Sequence, residues 1–251
     1  MRTSISSKKL GTTSLLVVLI LWGLLSTKYH PLLLPSPLET LKALINMSRT
    51  GVLWVNILIT LRRTVYGYGL ALLVGGSLAL VLKWSPFWQA VMRPVVTIIQ
   101  IIPPVIWMVL AVLWFGIADD LTPVFLIFIV TFPITFVNIF GGLDSINLEL
   151  VEMAQVYQVS QKKIVTEVYL PALIPHLAAC ISVGISFAWK STIFAEFMGS
   201  SSGVGFALSM ANANLETDKL FAWAVILVVL MLICEYGILQ PIQRQVMRWS
   251  A

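Results

Sequence analysis

One charged stretch, Leu148 to Pro175 (LELVEMAQVYQVSQKKIVTEVYLPALIP), separates two long apolar runs and limits what this chain can fold into. Glu149, Glu152, Lys162, Lys163 and Glu167 crowd into it. An ionised group near the centre of a bilayer costs roughly 2.5–3.5 kcal/mol on insertion scales. The stretch is therefore expected outside the membrane that the flanking runs imply. Its apolar residues recur at helical spacing: Leu148, Val151, Ala154 and Val156, then Val159, Ile164 and Val168. The pattern predicts two short amphipathic helices, with Pro171 opening the next helix, where a missing N–H is harmless. A compact, half-apolar knob on a membrane surface is expected to dock into a partner rather than sit in water.

Composition supports the membrane reading. Apolar residues make up 59% of the chain and charged residues 11%, against about 25% charged in soluble domains. Mean hydropathy is +0.94. At about 20 residues per span plus loops, 251 residues fit six spans. The net charge of +5 is scattered, with no basic run of five or more, so nothing points to nucleic acid. Cys180 and Cys234 both fall in apolar runs and read as small buried hydrophobes, not as a disulfide or metal pair.

The knob carries a resemblance. Glu152-Met153-Ala154, then three residues, Gln158, nine residues and Val168-Tyr169-Leu170-Pro171 resembles the "EAA" loop of ABC-transporter permeases. That family reads Glu-Ala-Ala, three residues, Gly, nine residues, Ile-x-Leu-Pro. Met153 replaces the first Ala and Gln158 the Gly. The family Gly serves the turn between the two helices, where positive φ at a non-Gly residue costs ~1 kcal/mol. Either the turn differs here or Gln158 tolerates the strain. The resemblance implies that residues 148–168 are cytoplasmic coupling helices seated in an ATPase subunit. The ATPase contact would then fall to Glu152, Ala154, Gln158, Val168, Leu170 and Pro171.

Taken in order, residues 1–11 are basic and residues 12–27 apolar. A signal peptide would want a small-x-small cleavage site after the apolar run, and none follows, so 12–27 is expected as the first span. Leu34-Pro35-Ser36-Pro37 is a proline-stiffened stop. The following amphipathic helix has Leu38, Leu41, Leu44, Ile45 and Ser48 on one side and Glu39, Lys42 and Arg49 on the other. It is expected to lie along the outer surface. Thr60 to Gly67 resembles the Ser-Leu-x-Arg-x-x-x-Gly start of the second span in permeases of the nitrate, sulfonate, taurine and bicarbonate group, with Arg63 as the Arg. The second span is placed at 64–82, where Gly67, Gly69, Gly75 and Gly76 are expected to serve helix packing.

After a polar link from Lys83 to Arg93, the third span is placed at 94–115. It contains Gln100 and Ile102-Pro103-Pro104, which resembles the Pro-Ile-Pro-Pro portion of the same group. Mid-span prolines free backbone carbonyls, so a kinked helix is expected there, either as a gate or as a packing bend. Asp119 and Asp120 are expected to close the outer end. The fourth span, 121–143, contains Asn138, expected to bond a neighbouring helix or to line a pathway. The fifth, 172–195, ends in Trp189-Lys190 and runs to Ala195-Glu196, followed by a Gly-rich turn, similar to the group's Trp and Ala-Glu pattern. Lys190 either snorkels to the outer interface or attracts an anionic substrate. Glu196 is expected to pair with Arg62 or Arg63. Residues 206–218 read as a polar outer segment and 219–240 as the sixth span. Arg244, Arg248 and Trp249 are expected at the inner surface. With both termini inside, nine Lys/Arg fall on inner segments and six on outer ones, a weak positive-inside bias.

The absences restrict function further. There is no Gly-x-x-x-x-Gly-Lys-Ser/Thr run to cradle nucleotide phosphates. No His-Glu-x-x-His occurs, and no paired in-span acids suit an aspartyl enzyme. The expectation is therefore an all-α polytopic membrane protein, a single permease domain over residues 1–251 with a type I ABC importer permease-like fold and no catalytic or metal-ligating residue. The resemblance implies a bacterial inner-membrane subunit with cytoplasmic termini and no cofactor of its own, ATP and Mg being held by the ATPase. It implies a second permease chain (a homodimer), two cytoplasmic ATPases and an extracytoplasmic solute-binding protein. Candidate pathway residues are Gln100, Pro103, Asn138, Trp189, Lys190 and Glu196, for a small anion such as a sulfonate, taurine or nitrate-like solute. The alternatives are an aromatic or pyrimidine vitamin precursor as substrate, or a carrier or assembly scaffold that works without ATP.

Overall fold

In hydrocarbon every backbone N–H and C=O must find its partner inside the chain, and a helix satisfies this locally. The described residues accordingly form helices. The computed structural model describes residues 3–117, 120–241 and 243, with the side chains of 3–12, 15 and 238 left out of account. Arg2, Asp119, Arg244, Arg248 and Trp249, and the Lys8 and Lys9 side chains, lie outside that description. In order the helices are α1 (Thr3–Ser26), α2 (Pro37–Arg49), α3 (Val52–Lys83), α4 (Pro86–Ile101), α5 (Pro104–Phe115), α6 (Leu121–Asp144) and α7 (Leu148–Val156). Then come α8 (Gln161–Ile164), a π-turn (Val165–Tyr169), α9 (Leu170–Gly199), α10 (Val204–Ala213), α11 (Thr217–Cys234) and a second π-turn (Glu235–Leu239).

Four helical runs among the described residues are long and apolar enough to cross a membrane: Val52–Lys83, Leu121–Asp144, Gln161–Gly199 and Thr217–Gly237. The α4–α5 pair makes a fifth if counted as one broken span, and α1 contributes an apolar stretch, Leu16–Ser26. α6 is the central helix and packs along its length against α3 and α9. Its apolar face supplies Ile127, Phe132, Phe136, Ile139, Phe140 and Leu143 to the main core. α3 comes close to α6 because Gly67 has no side chain: a Cβ there would stand 2.6 Å from Ile127 Cβ. Gly75 and Gly76 also abut α6, whereas Gly69 meets none of the described residues within 4 Å.

Several boundaries differ from the sequence expectation, each for a physical reason. The second span starts at Val52, not residue 64, so Arg62 and Arg63 lie inside a helix. The polar link after it shrinks to residues 84–85, because Pro86 starts α4 and Arg93 belongs to that helix. There Arg93 and Lys83 both pair with Asp144, at 2.8 and 2.7 Å, tying the C-terminal ends of α3 and α6 to the middle of α4. The third span is no kinked helix but two helices at 93°. Two consecutive prolines remove the N–H groups that the Ile99 and Gln100 carbonyls would need, so two rungs of the ladder fail at once. Pro171 stands in the first turn of α9, as expected, but the chain is already helical before it, without interruption from Gln161 to Gly199. The π-turn just before it closes on Leu170 N–H to Val165 O instead, which lets the helix run past the missing donor.

The segment expected as polar, residues 206–218, is largely taken up by the apolar helix α10, which buries Val204, Gly205 and Ala211 against α9 and α11. In α2 the packed face is Thr40, Ala43 and Met47, and the stripe of Leu38, Leu41 and Ile45 points away from the molecule. That stripe is exposed, as an interfacial helix requires.

Candidate functional site

The knob forms from two short elements anchored by two buried residues. α7 is capped by Asn147, whose side-chain oxygen accepts from Glu149 N–H at 2.9 Å. Val151 from α7 and Ile164 from α8 are buried in the main core, with Ala154, Val159 and Val168 packed beside them. Gln158 has φ +52°. Its N–H bonds Gln155 O at 2.9 Å, and Val159 N–H bonds Ala154 O at 2.9 Å. This is the Schellman pattern, in which the residue after the helix cap is left-handed and usually Gly. The turn therefore keeps the shape the family Gly serves, and Gln158 carries the strain.

Around Glu152, itself exposed, the outer face of the knob presents Leu148, Leu150, Met153, Val156 and Tyr157. Val156 is 81% and Tyr157 77% exposed. Leu170 and Pro171 are exposed as well, and Val168 is half-buried. An exposed apolar patch of this kind marks an interaction surface.

The opposite end of the molecule holds a buried ionic cluster. Arg63 is 2% and Glu196 0% exposed, with Arg63 NH1 3.1 Å from Glu196 Oε1. Thr60 Oγ1 donates to the carboxylate at 2.8 Å, and Gly205 N–H donates to it at 3.0 Å. Arg63 also donates to Ser202 O at 2.7 Å, to Ser202 Oγ at 2.9 Å and, through Nε, to Asp120 at 2.7 Å. Arg62 pairs with Asp120. Of the two arginines expected to meet Glu196, Arg63 does so. The guanidinium fork suits this work, since it offers several fixed donors to acceptors on separate elements. It joins α3, the turn before α6, α9 and the turn before α10. Gly203 sits over the carboxylate with φ +99°, and a Cβ there would strike Glu196.

The other pathway candidates separate. Gln100 and Asn138 line one cavity of about 410 Å³ at the α4–α5 break, with Pro104, Trp107 and Phe187 among its walls. Pro103 is the N-cap of α5 beside it. Asn138 bonds its own helix, Nδ2 to Ile134 O at 2.8 Å, not a neighbouring one. Lys190 is exposed, with Nζ 5.8 Å from the Phe187 ring centroid. Trp189 points inward, is buried, and its Nε1 finds no partner among the described residues. Glu196 belongs to the ionic cluster and does not line this cavity. Sequence reasoning missed Thr60, Asp120 and Ser202 as members of that cluster, since nothing in their spacing links them. No group of His, Cys, Asp and Glu among the described residues could hold a metal ion.

Helices long and apolar enough to cross a membrane make this a helical membrane protein. The chain belongs to the family described as binding-protein-dependent transport system inner membrane component, which matches residues 67–248. It is 25% identical over 247 residues to the taurine transport system permease protein TauC of Escherichia coli K12, covering 96% of this chain and 89% of that one. It is 30% identical over 224 residues to a Haemophilus influenzae protein named "Probable ABC transporter permease protein", covering 88% of this chain and 90% of that one. Among solved structures, an inward-facing MetNI methionine ABC transporter chain superposes with a TM-score of 0.63 at 17% identity, over 76% of this chain and 94% of that one. That likeness concerns the fold, and it is the type I importer permease fold.

Proposed function

We propose that this chain is the transmembrane subunit of an ATP-driven importer for a small organic anion of the sulfonate class. The observation that carries the reading is the knob: a rigid, core-anchored turn with the family's Glu-x-Ala spacing that leaves Leu148, Met153, Val156 and Tyr157 uncovered. On this reading the knob lies in the cytoplasm, with both termini, and seats in a groove of an ATPase that binds ATP and Mg. Glu152, Ala154 and Gln158 lie at that contact, and Val168, Leu170 and Pro171 join it to α9. Two copies of the chain, two ATPases and an extracytoplasmic solute-binding protein make the complete importer.

The helical run from Gln161 to Gly199 carries motion. ATP closes the ATPase pair, the knob moves with it, and α9 transmits the displacement along the membrane normal. The pathway then opens to one side and the other in turn, past Gln100, Pro103, Asn138, Trp189 and Lys190. The name of the taurine permease relative supports a sulfonate, and Lys190 supplies an exposed cation on the transmitting helix. The reading is tested by purifying the chain in mild detergent from its own membrane. An ATPase subunit with a phosphate-binding loop should accompany the wild-type chain and be lost from Glu152→Arg. Solute uptake should vanish in the same variant. A chain that purifies alone, or uptake that survives Glu152→Arg, would overturn it.

A further inference from the structure

We infer that the rim of the molecule on the knob's side holds a site for an anionic phospholipid, its phosphate on Lys83 and Arg93 and its acyl chains along Trp84, Phe87 and Trp88. The inference asks only that the helices span a bilayer, and it goes beyond the importer reading without needing it.

Three helices bring the cations together. α3 ends at Lys83, and α6 ends at Asp144, just before the knob. Lys83 Nζ donates to Asp144 Oδ1 at 2.7 Å, and Arg93, from α4, donates to Oδ2 at 2.8 Å. Each carboxylate oxygen is thus engaged, and one carboxylate meets two cations. No second carboxylate pairs with either cation among the described residues. The carbonyls at these helix ends have donors of their own. Lys83 O accepts from Gln89 Nε2 at 3.2 Å, Gly141 O from Ser145 N–H at 3.0 Å and Gly142 O from the Ser145 hydroxyl at 2.8 Å. The Arg93 guanidinium sits over Phe140, its Cζ 4.5 Å from the ring centroid. Its Nε and Nη1 have no hydrogen-bond partner among the described residues, and its side chain is 52% exposed. What is left over is a set of N–H donors with a surplus positive charge. Phosphate oxygens are the acceptors that an arginine fork and a lysine suit. A headgroup with its own ammonium would bring a third cation to the cluster, so a net negative headgroup fits best.

The apolar half of the site adjoins the charged half in sequence. Trp84 follows Lys83 and is 82% exposed. Phe87 and Trp88, in the first turn of α4, are exposed too, their rings edge to face at 5.4 Å. The bond from Gln89 to Lys83 O fastens this turn to the end of α3. Neither indole N–H has a hydrogen-bond partner among the described residues. An indole is apolar in its ring and polar at its N–H, so it belongs where acyl chains meet headgroups. A lipid satisfies both halves at once, chains against the rings and phosphate against the cations. It also bears on α4, which buries only Val96 and whose one ion pair among the described residues is Arg93–Asp144.

The test is a lipid titration of the purified chain, with the subunits that accompany it, in detergent. Native mass spectrometry reads the Kd for phosphatidylglycerol and for phosphatidylcholine with the same acyl chains. The wild type should bind phosphatidylglycerol at least fivefold more tightly. Lys83→Gln with Arg93→Gln should erase that preference. Lys42→Gln with Arg49→Gln, which removes the same charge from the exposed side of α2, should keep it. Asp144→Asn breaks the same two ion pairs but frees both cations, so it should tighten phosphatidylglycerol binding at least twofold. Phosphatidylcholine affinity should stay within twofold in every variant, which shows that each has folded. Glycerol phosphate at the lipid's own concentration should displace nothing. A preference that survives the Lys83 and Arg93 change, or that falls equally in the α2 variant, would mean diffuse surface charge and overturn the proposal. Loss of the preference in Asp144→Asn would reduce the three residues to a helix tie and overturn it as well. Displacement by glycerol phosphate would show a site for free phosphate instead of lipid, and equal binding of the two lipids in the wild type would leave the Trp84 face to a protein partner; either result sinks it.

Discussion

Single residues bear two of the molecule's larger local costs. Gln158 holds a left-handed backbone that the Schellman turn demands, and the family motif, with Gly at this position, announces that demand in the sequence itself. A β-branched side chain fits such a conformation worst. Gln158→Val is therefore expected to destabilise the knob by about 1–2 kcal/mol, while Gln158→Gly stays within about 1 kcal/mol of the parent. Limited proteolysis between α7 and α8 measures both. Arg63 and Glu196 are the second case. The pairing could be guessed from two arginines and one deep acid, but not the burial of both partners, because burial depends on Thr60, Ser202 and Gly205 arriving from separate elements. Removing one partner of a buried pair leaves an uncompensated charge, at a cost of about 3–5 kcal/mol. Arg63→Ala should lower thermal stability in detergent by that much, and adding Glu196→Gln should recover part of the loss. A single variant as stable as the parent would show that the pair contributes nothing.

At the level of elements, the existence of helices was more legible than their orientation. α2 begins with a capping box: Glu39 N–H donates to Ser36 Oγ at 3.2 Å, and Glu39 Oε2 accepts from Ser36 N–H at 2.8 Å. The Ser36 backbone N–H first, and its hydroxyl second, hold the Glu39 carboxyl below its ordinary value. A lowered folded value means that the contribution is complete above the ordinary carboxylate range and fades as pH falls through the folded value. Amide protection factors in the first turn of α2, taken relative to the intrinsic exchange rate at each pH, should accordingly fall on acidification in the wild type. They should change less in Glu39→Gln, which keeps an acceptor but has no proton to gain. The exposed direction of the Leu38–Ile45 stripe was not legible, because periodicity shows that a helix has two faces but not which one meets the protein. The α4–α5 break was half legible: the adjacent prolines announced a disruption, and only their joint removal of two rungs turns a kink into a right angle. Both π-turns are followed, after one intervening residue, by a proline (Pro171 and Pro241), a regularity invisible to hydropathy.

The whole molecule divides into a tight part and a loose one. α3, α6 and α9 share the main core, whereas α4 buries only Val96 and α5 only Met108 and Ala111. Local opening follows such differences in buried contact. Hydrogen exchange in detergent is therefore expected to be slowest in the middle of α6 and faster in α4 and α5; equal protection of α4 and α6 would contradict this division. Membrane class and knob were legible because charge and apolar runs are local properties of the chain. The cavity was not, since it is assembled by helices whose packing partners no local pattern names. The ionic cluster also sets a schedule for the ribosome. Arg63 and Glu196 are 133 residues apart, and at about 5–20 residues per second the nascent chain extends for roughly ten seconds before the acid is made. Asp120, 57 residues after Arg63, is synthesised well before that. The growing protein thus gives the arginine a first counterion early, keeps it, and adds the buried Glu196 as a second only when the fifth apolar run emerges.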